Sequence, residues 1–307
     1  MQIYLPIADL PVNVFVIFGM GLAVGFISGM FGIGGGFLMT PLLIFLGIQP
    51  AVAVATVSTH IAASSCSGAI SYYRRRAIDV PLAGLLLAGG FAGTVFGVWL
   101  FTLLRTLGQL DITIGISYVL LLGVVGGLMV VESARAILRA RQGKPVELRR
   151  PGSHTWVHGL PFKLRFKRSG IYVSAMPVLA IGCIIGFVGA IMGIGGGFLL
   201  VPMLIYILRV PTATVIGTSM VLTLVTMASA TVLHAATNHL VDAVLALVLM
   251  VGGVIGAQFG ARAGQRISGE RLRLLLGLLV LAVGIRFGLE ITLPPESLFT
   301  LRPLEGG

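Results

Sequence analysis

The run Gly25-Phe-Ile-Ser-Gly-Met-Phe-Gly-Ile-Gly-Gly-Gly-Phe-Leu-Met-Thr-Pro41 returns as Gly186-Phe-Val-Gly-Ala-Ile-Met-Gly-Ile-Gly-Gly-Gly-Phe-Leu-Leu-Val-Pro202. Within it, Gly32–Leu38 and Gly193–Leu199 are identical in order. The register holds outward: Pro50 falls opposite Pro211 and Ser58 opposite Ser219. After a two-residue slip, Asp79 falls opposite Asp242, Gly93 opposite Gly256 and Gly97 opposite Gly260. The chain is therefore an internal duplication, residues 1–131 and 171–307, with residues 132–170 as connector.

Composition says what kind of duplication it is. Of 307 residues, 57% are hydrophobic and 10% charged, and the mean hydropathy is +1.04. Soluble domains carry about 25% charged residues, so a water-soluble globule is excluded. Apolar runs lie near residues 51–73, 80–104 and 111–131, and again near 212–236, 241–262 and 272–290. Each is about as long as the 20 residues a helix needs to cross hydrocarbon. Two longer stretches, 11–47 and 171–208, are interrupted by the glycines and read as pairs of segments. The expected fold is an all-α polytopic membrane protein, each half a glycine-broken helical hairpin followed by three transmembrane helices.

Charge placement orients it. Arg135, Arg139, Arg141, Lys144, Arg149, Arg150, Lys163, Arg165, Lys167 and Arg168 crowd the connector, against Glu132 and Glu147. The positive-inside rule makes that segment cytoplasmic, and anionic lipid headgroups are its expected partner. The net charge of +11 then requires no nucleic acid. If each glycine-broken stretch turns back as a hairpin, Arg74–Arg76, Arg209, Arg262, Arg266, Arg271 and Arg273 also fall inside. An odd number of passes or half-passes per half inverts one half relative to the other and places both termini in the periplasm. The first apolar run lacks a basic leader and is read as retained rather than cleaved. Inside the connector, Leu160, Phe162, Leu164 and Phe166 alternate with polar residues or Pro161, a strand period. Residues 146–150 are the expected partner in a short β-hairpin.

The glycine runs carry the chemistry. Irregular backbone is tolerated in a bilayer only where protein or a water-filled cavity satisfies it. Gly34, Gly35 and Gly36, with Gly195, Gly196 and Gly197, expose such backbone, and helices restart at Phe37 and Phe198. The free N–H groups and dipole of a helix start favour an anion. The spacing of Gly21, Gly25, Gly29 and Gly32 instead suits close helix packing. Neither run is a nucleotide loop, since both lack the Lys-Ser/Thr ending.

The helix after each hairpin carries hydroxyls: Thr56, Ser58 and Thr59 in the first half, Thr218 and Ser219 in the second. They can donate to an anion without the desolvation cost of a buried cation. His60 stands among them with Val221 opposite, so it lies outside the duplicated frame; it is the candidate proton-coupling residue. His234 and His239 fall at a helix end and its loop, where an interfacial position is expected. Cys66 and Cys183, inside apolar runs, read as small buried hydrophobes. Neither a metal-ligand cluster nor a converging Ser–His–Asp set is legible, so neither a cofactor nor an enzyme is expected.

On the duplicated Gly-x-Gly-Gly-Gly-Phe-Leu…Pro motif, residues 32–41 and 193–202, the chain resembles the TauE/SafE family of sulfite and organosulfonate exporters. The resemblance extends to the Pro50 and Pro211 restarts and the basic connector. It implies a bacterial inner-membrane permease moving a small sulfur-containing anion, such as sulfite or sulfoacetate, outward and coupled to protons. A passive anion channel and a non-transporting scaffold are the alternatives.

Overall fold

The computed structural model describes residues 2–31, 35–74, 78–141, 163–166, 169, 171–206, 212–264 and 269–292. A hairpin of β1 (Gln2–Leu5) and β2 (Leu10–Asn13) leads into α1 (Val14–Phe31) and, past the glycines, α2 (Gly36–Phe45). Then come α3 (Pro50–Arg74), α4 (Val80–Thr106) and α5 (Leu110–Arg141). The second half repeats this order with β3 (Lys163–Phe166), β4 (Ile171–Ser174), α6 (Ala175–Met192), α7 (Gly197–Tyr206) and α8 (Thr212–Leu233). A π-turn (His234–Asn238), α9 (Ala243–Gly264) and α10 (Gly269–Thr292) complete it.

Among the described residues, five helical segments are long and apolar enough to cross a membrane: α4, α5, α6, α8 with its π-turn, and α9. Exposed apolar side chains line their outer faces, including Phe91 and Trp99 on α4 and Val251 and Phe259 on α9. This is a multi-pass helical membrane protein. Helix α3 is the exception that locates the centre. Its Thr56, Ser58, His60 and Ser65 are buried, because α8 and α9 pack around it, and α9 with its cap supplies partners to His60 and Thr56. Helices α2 and α7 have 10 residues each, about 15 Å, so each spans half the hydrocarbon thickness.

The two halves interlock. The most extensive helix pairs are α1 with α9 and α4 with α6, followed by α5 with α10 and α3 with α8. Exchanging the halves maps this set onto itself. Gly21 faces Leu249 and Gly29 faces Ala257, so α1 and α9 run parallel; a Cβ on Gly21 would lie 2.9 Å from the Leu249 carbonyl oxygen. Helices α4 and α6 run parallel too, with Gly89 on Leu179 and Gly97 on Phe187. Equivalent helices cross in opposite senses. Thr59 meets Thr231 while Gly68 meets Met220, and Gly126 meets Leu281 while Gly288 meets Val119.

Three sequence expectations need correction. The alternating segment does form a strand, Lys163–Phe166, but it pairs antiparallel with Ile171–Ser174, Phe166 opposite Ile171. Residues 146–150 lie outside the described residues. Closing the short turn between β3 and β4 costs little chain entropy, and Phe166 and Val173 join the same buried cluster. The stretches starting at 11 and 171 consequently open as strands, not helix. Finally, Cys183 is exposed on the apolar outer face and Cys66 half-buried, because apolar runs in a membrane protein face lipid as often as core.

Candidate functional site

Both helix breaks need left-handed backbone. Gly35, which starts α2, has φ +64°. Gly193, which ends α6, has φ +63°, and Gly195 has φ +73°. A Cβ makes that conformation costly, and glycine removes the penalty. Gly34 lies outside the described residues.

The breaks meet. Phe37 and Phe198, the residues at which the half-helices restart, stack with ring centroids 4.6 Å apart and planes 15° apart. Gly36 lies directly on the other break: a Cβ there would sit 2.6 Å from the Ile194 carbonyl oxygen and 2.7 Å from that of Gly193. Ile61 of α3 packs against both Gly36 and Gly195. Gly36, Phe37 and residues 193–198 are all buried. Among the described residues, no Lys or Arg is buried beside them. The charge available at this centre is therefore the partial positive charge of two helix starts, whose first-turn N–H groups have no partner within the helix.

Two residues that the sequence did not single out hold the second break. The Tyr118 hydroxyl on α5 donates to the Met192 carbonyl at 2.5 Å, and Thr40 Oγ1 on α2 donates to the Gly193 carbonyl at 3.3 Å. Both side chains are fully buried. A lone tyrosine in the apolar run 111–131 was the available signal for Tyr118.

The hydroxyl candidates divide. Ser58 Oγ donates to the Val54 carbonyl at 2.9 Å and Ser219 Oγ to that of Ile216 at 2.8 Å, each within its own helix. Thr59 Oγ1 reaches Thr231 Oγ1 at 3.4 Å across the α3–α8 interface. Thr56 and Thr218 serve a different place. The Asp242 N–H donates to Thr56 Oγ1 at 3.1 Å, and the Asp79 N–H to Thr218 Oγ1 at 3.5 Å. Asp79 caps α4 and accepts from the Ser169 N–H at 2.9 Å and the Ser169 hydroxyl at 2.7 Å. Asp242 caps α9 through the Val244 and Leu245 N–H groups and accepts from the Ile7 N–H at 3.0 Å. Each aspartate thus ties the turn of the other half's hairpin to its own helix. In the alignment Thr56 stands opposite Gly217 and Thr218 opposite Val57, so the matching roles sit one residue out of register.

His60 points at α9. Its Nδ1 lies 2.9 Å from the Leu249 carbonyl, which can only accept, so Nδ1 carries the hydrogen. Its ring covers Gly253, where a Cβ would meet Nδ1 at 2.7 Å. His234 is fully buried. Its Nε2 donates to the Ala190 carbonyl at 3.1 Å, leaving Nδ1 to accept from Asn238 Nδ2 at 3.3 Å. Thr102 and Arg105 on α4 bond Asn238 in turn. The π-turn aims His234 and Asn238 into that network, which a regular helix count does not reveal.

Two related halves, whose broken helices meet in a buried centre with no Lys or Arg buried there among the described residues, define a multi-pass membrane protein of duplicated, broken-helix architecture. The family model described as "Sulfite exporter TauE/SafE" matches residues 17–287, and the chain belongs to that family. It is 31% identical over 283 residues to a "Probable membrane transporter protein" of Xylella fastidiosa (strain 9a5c), covering 89% of this chain and 94% of that one. It is 27% identical over 271 residues to "Probable membrane transporter protein YjnA" of Bacillus subtilis (strain 168), covering 87% and 96%. A 69-residue segment is 39% identical to "Sulfite exporter TauE/SafE family protein 3" of Arabidopsis thaliana, covering 22% of this chain and 14% of that protein. No solved structure matches the chain.

Proposed function

We propose that this protein is a secondary active transporter that exports a small sulfur-containing anion, sulfite or an organosulfonate such as sulfoacetate, across the inner membrane. The observation that carries this reading is the contact between the two breaks, with Phe37 stacked on Phe198. It brings the starts of two half-helices together where a midplane anion would bind. The burial of residues 193–198 favours alternating access over an open channel. The chemistry of the lining fits an oxyanion: the backbone N–H groups at the half-helix starts can donate, and buried lysine or arginine is not needed. The anion is the only ligand the reading requires.

Inversion of the halves belongs to the same proposal. In its support, equivalent helices α3 and α8 cross antiparallel, as do α5 and α10. Residues that this topology assigns to one membrane face also touch. Asp79 bonds Ser169 of the cytoplasmic connector, and Asp242 bonds Ile7 of the periplasmic N-terminus.

The test is uptake of labelled sulfite and sulfoacetate into proteoliposomes with and without an imposed pH gradient. Saturable accumulation that follows the gradient is expected. Flux that only dissipates a concentration gradient would make the protein a channel. Absence of flux for both anions in folded protein would overturn the substrate class.

A further inference from the structure

Thr223 on α8 is 1% exposed, and its hydroxyl oxygen has no hydrogen-bond partner among the described residues. Buried hydroxyls are rarely left so, because each keeps its desolvation cost without a bond in return. Nearby hydroxyls on the same helix are engaged: Thr218 accepts from Asp79, and Thr226 donates to the Leu222 carbonyl at 2.8 Å.

Thr223 lies against the second helix break. A Cβ on Gly196 would be 3.6 Å from Thr223 Oγ1, and one on Gly195 would be 3.4 Å from Thr223 Cγ2. Gly196 is the residue from which α7 starts, since its carbonyl accepts from the Leu200 N–H at 2.8 Å. Glycine brings no capping side chain, so the N–H groups of Gly197, Phe198 and Leu199 keep no partner from their own helix. A threonine hydroxyl this close could cap them by accepting, and it does not. The unpartnered hydroxyl thus adjoins the start of α7, and one acceptor there could bond both the hydroxyl and the first-turn N–H groups.

Among the described residues the first break is lined differently: a Cβ on Gly35 would lie 3.2 Å from the Ser28 hydroxyl of α1. The position opposite Thr223 is Ala62. Gly36 is covered by the carbonyl oxygens of Ile194 and Gly193, whose partial negative charge repels an anion. Two sequence-identical breaks are therefore chemically unequal.

We infer that Thr223 donates its hydroxyl hydrogen to an oxygen of the transported oxyanion, which sits at the start of α7 rather than midway between the breaks. This rests on the transport reading and adds a binding residue and an asymmetry to it.

The experiment compares wild type, Thr223→Ser and Thr223→Val for labelled sulfite uptake into proteoliposomes, with melting temperatures of the purified proteins. Removing an unpaired buried hydroxyl for an isosteric methyl leaves stability unchanged or raises it, so Thr223→Val melts at or above wild type. Its KM for sulfite rises about ten- to hundredfold, the loss expected for a hydrogen bond to a charged group. Thr223→Ser keeps the donor and stays within about threefold. An unchanged KM in Thr223→Val overturns the assignment while wild-type flux leaves the transport reading standing. A fall in melting temperature without a change in KM assigns Thr223 to packing and also overturns it. No sulfite uptake by wild type overturns sulfite transport, and this assignment with it.

Discussion

At the scale of single residues, polar groups were easier to find than to assign. Hydroxyls at mid-depth in α3 and α8 looked equivalent in sequence, yet Ser58 and Ser219 bond their own helices while Thr56 and Thr218 serve aspartate backbones. Which acceptor a hydroxyl finds depends on helix rotation and on neighbours far along the chain. His60 is the residue whose function a substitution can separate from its fold. Its Nδ1–H bond to Leu249 survives protonation at Nε2, so the charge changes while the contact stays. His60→Asn retains an N–H near the Nδ1 position and removes the titrating ring. Such a variant is expected to fold, and its flux should lose the pH dependence that a titrating ring confers. Proteoliposome flux measured as a function of pH decides it; an unchanged profile assigns His60 to the α3–α9 contact alone.

At the scale of elements, the two β-hairpins and the two aspartate caps form a pair of latches. The Asp79 carboxylate holds α4 and the β3–β4 turn, and that of Asp242 holds α9 and the β1–β2 turn. Sequence alignment paired the aspartates but gave no reason for them, since most of the groups that donate to their carboxylates are backbone N–H groups that any residue could supply. Asp242→Ala leaves the N–H groups of Ile7, Val244 and Leu245 without this acceptor. It should cost roughly 2 kcal/mol or more, seen as a lower melting temperature in detergent. Faster hydrogen exchange at Ile7 should accompany it. An equal loss of stability with unchanged exchange at Ile7 would mean that the cap matters and the latch does not. The short half-helices were legible because a doubled glycine run cannot continue a helix cheaply. Of the strands only β3 was legible, because four-residue pairs leave a weak period, and residues 10–13 sit at the edge of an apolar run.

At the scale of the whole molecule, parallel α1–α9 and α4–α6 packing and antiparallel α3–α8 and α5–α10 packing fix how the halves embrace. Labelling of single cysteines in a background lacking Cys66 and Cys183 tests the membrane orientation. With a membrane-impermeant maleimide outside intact cells, Gln109→Cys, after α4, is expected to react. Arg262→Cys, near the end of the equivalent helix α9, is expected to stay protected. The reverse pattern would flip the protein in the membrane, and labelling of both would remove the inversion.

The sequence by itself determined that the chain is a membrane-embedded duplication with a glycine break in each half, because hydropathy and backbone freedom are properties of consecutive residues. Only the tertiary structure decided that the breaks touch, that Phe37 stacks on Phe198, and that Tyr118 and Thr40 grip one break. It alone made two identical glycine runs unequal, placing the Ser28 hydroxyl and the Ile194 and Gly193 carbonyls against one, and the Val54 carbonyl and the unpartnered Thr223 hydroxyl against the other. Repetition in sequence makes the halves alike; packing places each against a different neighbour.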